Sequence, residues 1–197
     1  MMFWREKMYG VMALFDETTE KELHAVWNEL CGSGISYYSK EAPNRRPHIT
    51  IASYQNIEPE SFIEDMNQVL QETSSIPITL GTLGTFLASQ TVFLSPVPTK
   101  TLLDFHHNFH EKMKKYSDNP SSLYLPGNWI PHCTIANHLK EEKFHEAFQY
   151  CTNRIEKVDA VIREIALIKV EYKNKKCVDA PIIFSKRLTG VTNSVHS

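Results

Sequence analysis

The sequence predicts an α+β fold built from two copies of a β-α-β-α-β unit. Apolar residues alternate along the chain between the periodicity of strands and that of helices. One six-residue pattern occurs twice, as Pro-His-Ile-Thr-Ile-Ala from Pro47 and as Pro-His-Cys-Thr-Ile-Ala from Pro131. Its two histidines are 84 residues apart, close to half of the chain. We therefore expect the copies to pack around a pseudo-two-fold axis, with helices outside and strands between.

The first copy is expected over about residues 8–88. Its predicted elements are a strand over 9–15, a helix with Leu23, Val26, Trp27 and Leu30 on one face, a strand over 47–54, a helix with Phe62, Met66, Val69 and Leu70 on one face, and a strand over 76–87. Thr19 and Glu22 resemble a capping box at the start of the first helix, and Gly32 is typical of its end. The strand over 47–54 is rich in β-branched residues.

The second copy is expected over about residues 90–187, after a turn at 88–90. Its predicted elements are a strand over 91–95, a helix with Leu102, Phe105, Phe109 and Met113 on one face, a strand over 130–137, a helix with Phe144, Ala147, Phe148 and Cys151 on one face, and strands over 161–172 and 182–186. Thr99 is positioned to cap the first of these helices. The two copies are expected to form one domain over residues 1–187, followed by a flexible tail over 188–197.

The polar residues of each repeated motif are predicted to share one face of a strand, because side chains alternate between the two faces. That face is predicted to hold His48, Thr50, Ala52, His132, Thr134 and Ala136. The alanines leave space for a small ligand. Cys133 falls on the opposite face, which favours buried packing over a role as nucleophile. A two-fold axis relating the strands would bring two imidazoles and two hydroxyls to one cleft.

Two imidazoles and two hydroxyls suit the cleavage of a phosphodiester without a metal. One imidazole can accept a proton from the attacking group while the other protonates the leaving oxygen, and both titrate near neutral pH. Hydroxyl groups can hold the phosphoryl oxygens. A single His-x-Thr sequence is more often a structural pair, but a core needs no identical polar pair in both halves, and burying two unpaired imidazoles is costly.

The paired His-x-Thr motifs, at this spacing and chain length, resemble those of the two-histidine phosphoesterase superfamily, and within it bacterial 2′-5′ RNA ligase-like and cyclic phosphodiesterase proteins. The resemblance implies a bilobal fold with antiparallel or mixed sheets and both motifs facing a central cleft. It also implies metal-independent action, without a cofactor, on 2′,3′-cyclic phosphates or 2′-5′ phosphodiester bonds of RNA ends or small nucleotides. Carried over by position, His48 and His132 are the acid–base pair, and Thr50 and Thr134 hold the phosphate.

Several alternatives remain open from the sequence. The motifs do not distinguish the acid from the base, or hydrolysis from RNA 2′-5′ ligation. Non-catalytic binding of a cyclic nucleotide or an RNA end would use the same cleft. Matched histidines in both copies favour an enzyme, because a binding protein needs hydrogen-bond donors but no paired acid and base.

Further substrate contacts are predicted from two long polar segments, residues 32–46 and 117–129, which lead into the motif strands. The residues proposed as contacts, in these segments and near the ends of two strands, are Arg45, Arg46, Tyr38, Phe86, Tyr124, Trp129 and Tyr172. The arginines can meet a phosphate and the aromatic rings can stack on a base. Their alternatives are solvated loop charges and packing at the rim.

Three other histidines suggest a metal site, because His106 and His110 are one helical turn apart and His107 lies between them. No carboxylate or cysteine nearby completes a set of ligands, and the apolar stripe occupies the adjacent face. We therefore expect a solvent-exposed helix surface and no metal.

Composition excludes several other classes of protein. The formal net charge is −2, which disfavours binding to extended nucleic acid. No apolar run reaches the ~20 residues of a membrane helix, and charges at residues 5–7 interrupt any signal-peptide core. Four dispersed cysteines fit reduced thiols in a cytoplasm. The sequence does not indicate an oligomeric state, and a monomer is assumed.

Overall fold

The computed structural model describes residues 7–117, 119–173 and 176–190. Within these ranges it contains β1 (Met8–Phe15), α1 (Glu17–Gly32), β2 (His48–Gln55), α2 (Pro59–Val69), β3 (Ile76–Thr85), β4 (Val92–Pro96), α3 (Lys100–Lys112), β5 (Cys133–Ala136), α4 (Glu141–Arg154), β6 (Val158–Lys173), β7 (Lys176–Asp179) and β8 (Ile182–Arg187). Strand β7 is the one element of this set that the sequence pattern missed. None of the described helices is long and apolar enough to cross a membrane.

Side chains cap the first turns of α1 and α3. The Asp16 carboxylate accepts hydrogen bonds from the backbone N–H of Thr19 at 3.1 Å and from its hydroxyl at 2.8 Å, so α1 begins just after Asp16. The predicted capping box at Thr19 and Glu22 is therefore wrong, because both residues lie inside the helix. Thr99 caps α3 as predicted, accepting from the backbone N–H of Leu102 at 3.3 Å.

All eight strands belong to one sheet whose named strands pair antiparallel. Their order is β2-β1-β6-β3-β4-β5, and β7 and β8 also pair with β6. Strand β6 pairs with β3 along residues 158–162 and with β1 from Ile162 onward. The third strand of each predicted copy therefore lies beside the first strand of the other copy: β3 pairs with β4, and β6 pairs with β1. If each strand is replaced by its counterpart in the other copy, the result is the same strand order read from the opposite end of the sheet.

A large continuous core fills the space between the sheet and the helices and contains residues from both copies. Ile49 of β2 and Cys133 of β5 belong to it, and neither is exposed to solvent. A smaller buried cluster, formed by Met12, Leu14, Ala166 and Ile168, lies on β1 and β6 apart from this core. Cys133 is thus buried packing, as predicted.

Each motif strand contains a β-bulge at the same position. Strand β1 pairs with Thr50 and then with Ala52 and skips Ile51, while β4 pairs with Thr134 and then skips Ile135. The inserted residue reverses the alternation of side chains. Ala52 and its counterpart in β5 consequently lie in the large core and not beside the histidines. The prediction that these alanines share the face of the histidines is wrong for this reason.

The chain beyond β8 is held by backbone hydrogen bonds as far as Thr189. The N–H of Leu188 donates to the carbonyl of Arg163 at 2.8 Å, and the carbonyl of Thr189 accepts from Ser75 at 2.9 Å. Leu188 is also buried. Any tail therefore begins later than the predicted residue 188, and residues 191–197 lie outside the described ranges.

Candidate active site

The two motif strands lie together although they stand at opposite ends of the strand order. Strands β2 and β5 are in contact. The indole N–H of Trp129, just before β5, donates to the backbone carbonyl of Thr50 in β2 at 2.9 Å. The Cys133 thiol lies close to the backbone of His48. The sheet therefore curls until its two end strands meet, which the right-handed twist of strands permits.

Backbone carbonyls orient the two motif histidines in the same way. The Nδ1–H of His48 donates to the carbonyl of Arg46, and that of His132 donates to the carbonyl of Ile130, both at 2.7 Å. In the neutral imidazole, the Nδ1–H bond leaves the lone pair on Nε2. Each half-buried ring therefore has one nitrogen that is available to exchange a proton.

Burial favours the neutral form of both imidazoles. It lowers the pKa of His48 to about 4, and the positive charges of Arg45 and His132 act in the same direction. Burial also lowers the pKa of His132, against the opposing effect of its hydrogen bond to Ile130. The effect of the His132 charge on the His48 pKa means that the rings lie near each other. A bound phosphate would favour the protonated form of either ring.

Aromatic rings surround His132. The centroid of its ring lies 4.8 Å from that of Phe86 and 5.2 Å from that of Phe93. Gly84 pairs with Phe93 across the sheet, and a Cβ at Gly84 would come within 2.7 Å of the Phe93 ring. The sequence predicted Phe86 at the site but missed Phe93. A glycine inside a strand was the available signal for this close approach.

A tyrosine from the segment before each motif contacts the threonine of the other motif. Tyr38 begins a short 3₁₀ helix (Tyr38–Lys40) before β2, and its hydroxyl lies close to the side chain of Thr134 in β5. The hydroxyl of Tyr124, before β5, lies close to the side chain of Thr50 in β2. Burial raises the pKa of both phenols, and the nearby threonine hydroxyls act against that effect. The structure therefore brings four hydroxyl groups together in two crossed pairs.

Adjacent arginines before β2 differ in their partners. The Arg45 guanidinium lies 4.2 Å above the Tyr38 ring and 3.9 Å from the Glu41 carboxylate, and its buried Nε has no hydrogen-bond partner within the described residues. Arg46 instead forms ion pairs with Glu20 at 2.7 Å and with Glu164 at 3.4 Å. Arg45 can therefore still bind an anion, whereas two carboxylates already neutralise the charge of Arg46.

The remaining predicted contacts differ in their surroundings. Trp129 packs against the protein interior. Its ring stacks on that of His106 with centroids 3.8 Å apart, and its indole N–H donates to the backbone carbonyl of Thr50. Tyr172 is 47% exposed, and it raises the pKa of Tyr124, so it lies near the Tyr124 side of the site. A contact between Tyr172 and substrate stays a prediction.

The histidines of α3 are not a solvent-exposed surface, as the sequence suggested. His106 and His110 are buried and hydrogen-bonded to the backbone carbonyls of Tyr124 and Ile51, and only His107 is exposed. The segment that precedes β5 covers this face of the helix. Within the described residues there is no group of three His, Cys, Asp or Glu side chains able to hold a metal ion.

Comparisons with known proteins agree with this architecture. The family model of the 2′-5′ RNA ligase superfamily matches residues 15–174. The structure is similar to that of E. coli LigT in its apo form, with a TM-score of 0.61, 12% identity and coverage of 93% of this chain and 98% of LigT. It is also similar to the protein TT0787 of Thermus thermophilus, with a TM-score of 0.59, 14% identity and coverage of 93% of this chain and 98% of that protein. No curated protein sequence matches significantly.

Proposed function

The chain belongs to the 2′-5′ RNA ligase superfamily, and from this premise we propose that it is a phosphodiesterase. The proposed substrate is a 2′,3′-cyclic phosphate, or a 2′-5′ phosphodiester of an RNA end or small nucleotide. The observation that supports this most directly is the pair of imidazoles with matching hydrogen bonds, each with Nε2 available. Paired proton-transfer groups suit a reaction that deprotonates a nucleophile and protonates a leaving oxygen.

The two histidines take opposite roles in the proposed mechanism. His48 is the general base, because its pKa of about 4 keeps it unprotonated. It removes a proton from water as the water oxygen forms a bond to phosphorus. His132, protonated when the phosphate binds, gives its proton to the ester oxygen as the phosphorus–oxygen bond breaks. Exchange of one proton from His48 to solvent and one from solvent to His132 restores the enzyme.

The other groups of the site hold the phosphate in this proposal. Thr50 and Thr134 provide hydroxyl donors to the non-bridging oxygens, where negative charge is concentrated. Arg45 supplies a positive charge, and its Nε has no partner among the described residues. The neutralised Arg46 is left out of this set. No step requires a metal ion.

A mononucleotide-sized substrate is favoured by two considerations. The low net charge of −2 gives little general attraction for a long polyanion. E. coli LigT, which shares the fold, has been crystallised with 3′-AMP and with phosphate. A 3′-nucleotide is what remains when water opens a 2′,3′-cyclic phosphate at its 2′ oxygen.

The decisive experiment is turnover of 2′,3′-cyclic mononucleotides and 2′-5′-linked dinucleotides in EDTA, followed by chromatography. We expect hydrolysis of at least one of them, and a loss of about 10²–10⁴-fold in His48→Gln and in His132→Gln. His145→Gln, at an exposed position on α4, is the matched control and should retain full activity. Full activity in either motif variant, a requirement for added metal, or binding without turnover would contradict the proposal.

A further inference from the structure

Two buried histidines on α3 connect the two motifs. His106 is 3% exposed and His110 is 7% exposed. The Nε2–H of His106 donates to the carbonyl of Tyr124 at 2.8 Å, and that of His110 donates to the carbonyl of Ile51 at 3.1 Å. One carbonyl belongs to the segment before β5 and the other to the motif strand β2. The helix therefore binds both sides of the Tyr124–Thr50 contact through their backbones.

The β-bulge explains why His110 is needed at this place. A bulge removes one residue from the regular ladder, and in β2 that residue is Ile51. A buried carbonyl without a partner is costly, and His110 supplies a donor to it. Its Nδ1 has no hydrogen-bond partner within the described residues. A neutral ring with Nε2–H suits this arrangement, because a protonated ring would bury an unpaired N–H.

Trp129 holds the same segment at a second point. Its ring lies parallel to that of His106, with centroids 3.8 Å apart and an interplanar angle of 1°. Its indole N–H donates to the carbonyl of Thr50 at 2.9 Å. The segment is thus fixed at Tyr124 and at Trp129, between α3 and β2. This leaves little freedom for the Tyr124 side chain.

We infer that His106 and His110 are positioning residues, which hold the Tyr124 hydroxyl against Thr50 so that both groups meet the phosphoryl oxygens. The inference rests on the proposed function, because it concerns the same phosphate. The histidines themselves need not touch the substrate. Burial lowers the pKa of His106 to about 4 and also lowers that of His110, which keeps both rings as neutral donors.

A double-mutant cycle separates positioning from simple core packing. His106→Phe keeps a ring for Trp129 but removes the donor to Tyr124, and Tyr124→Phe removes the hydroxyl. With 2′,3′-cyclic AMP as the probe, each change should lower kcat/KM by about tenfold. If His106 acts through Tyr124, the double variant should lose no more than Tyr124→Phe alone. His106→Gln, which restores an N–H donor, should recover part of the loss.

His107→Phe is the matched control, since the His107 side chain is exposed on the same helix. It should keep wild-type kcat/KM. Independent losses that multiply to about a hundredfold in the double variant would overturn the inference. An unchanged kcat/KM in His106→Phe would do the same.

Amide hydrogen exchange tests the inference without turnover. Exchange over residues 119–129 should accelerate in His106→Phe and not in His107→Phe, while β1 stays protected in both. If the wild type hydrolysed no probe, the proposed function would fail. The inference would then be judged by this exchange and by titration with inorganic phosphate, which should bind more weakly to His106→Phe. Unchanged exchange or unchanged phosphate affinity would overturn it.

Discussion

His48 and His132 each donate a hydrogen bond from Nδ1–H to the backbone carbonyl two residues earlier, at 2.7 Å in both motifs. Their surroundings differ: the charge of Arg45 acts on His48, whereas the rings of Phe86 and Phe93 lie against His132. The duplicated motif therefore fixes equivalent tautomers, and neighbouring residues make the two imidazoles unequal. This inequality separates a base from an acid in the proposed mechanism.

The first prediction concerns the dependence of kcat/KM on pH. In the free enzyme the base must be unprotonated and the acid protonated, so kcat/KM is greatest between the two pKa values. Those of His48 and His132 are both lowered from 6.5, that of His48 to about 4. We expect a maximum on the acidic side of 6.5 and a decline above it, measured as initial rates with a cyclic nucleotide.

The kcat profile provides an internal control for this prediction. Bound phosphate raises the pKa of a neighbouring imidazole, so the kcat maximum should lie at a higher pH than that of kcat/KM. A kcat/KM maximum in the alkaline range would contradict the lowered pKa values. Exchanging the roles of the histidines would leave the shape of the profile unchanged, so this measurement tests the pair and not the assignment.

The second prediction concerns the contact between Tyr38 and Thr134. Tyr38→Phe keeps the ring under the Arg45 guanidinium but removes the hydroxyl that lies close to Thr134. We expect kcat/KM to fall by about tenfold with little change in the free energy of unfolding, because one hydroxyl group at the site is lost. Tyr37→Phe, at the exposed neighbouring position, is the control. Equal effects in both variants would argue against a role for this contact.

The third prediction separates two adjacent arginines. Arg45→Gln should raise KM by about tenfold or more, because the cation assigned to the phosphate is lost. Arg46→Gln should mainly reduce the free energy of unfolding, by about 1–2 kcal/mol, because Glu20 and Glu164 lose their shared partner. Steady-state kinetics and urea unfolding of both variants provide the measurement. The reverse pattern would exchange the roles given to the two residues.

Local patterns were enough to predict which side of the strand each motif histidine and threonine occupies. His48 and Thr50 are separated by one residue in a strand, so their common side follows from alternation alone. Ala52 is two residues after Thr50, so alternation alone would place it on the same side. The bulge at Ile51 places it in the core instead. That bulge depends on how β2 pairs with β1, and pairing between distant segments cannot be derived from the spacing within one strand.

Longer-range packing also decided the surroundings of the site. The apolar stripe of α3 predicted the helix, but His106 is buried because the segment containing Tyr124 and Trp129 covers it. In the same way, the pairing of β3 with β4 and of β6 with β1 joins segments that periodicity treats separately. The sequence predicted all of these helices and strands except β7, and tertiary contacts determined what surrounds the motif residues.

The fourth prediction is a loss of stability in mild acid. His48 and His106 each have a pKa near 4 in the folded protein, against 6.5 as the ordinary value. Between these limits the unfolded chain binds more protons, so the free energy of unfolding falls as the pH falls from 6.5 to about 4. The slope is up to about 1.4 kcal/mol per pH unit for each such histidine. The stability that the neutral rings contribute is fully present above 6.5.

His106→Phe provides the test, because it removes one of these groups and keeps an aromatic ring against Trp129. Urea unfolding at about pH 7 and about pH 5 should show a smaller difference for this variant than for the wild type. His145→Phe, at an exposed position on α4, should retain the wild-type difference. Parallel stability curves for His106→Phe and the wild type would contradict the prediction. They would mean that burial does not lower the pKa of His106 in the folded protein below its value in the unfolded chain.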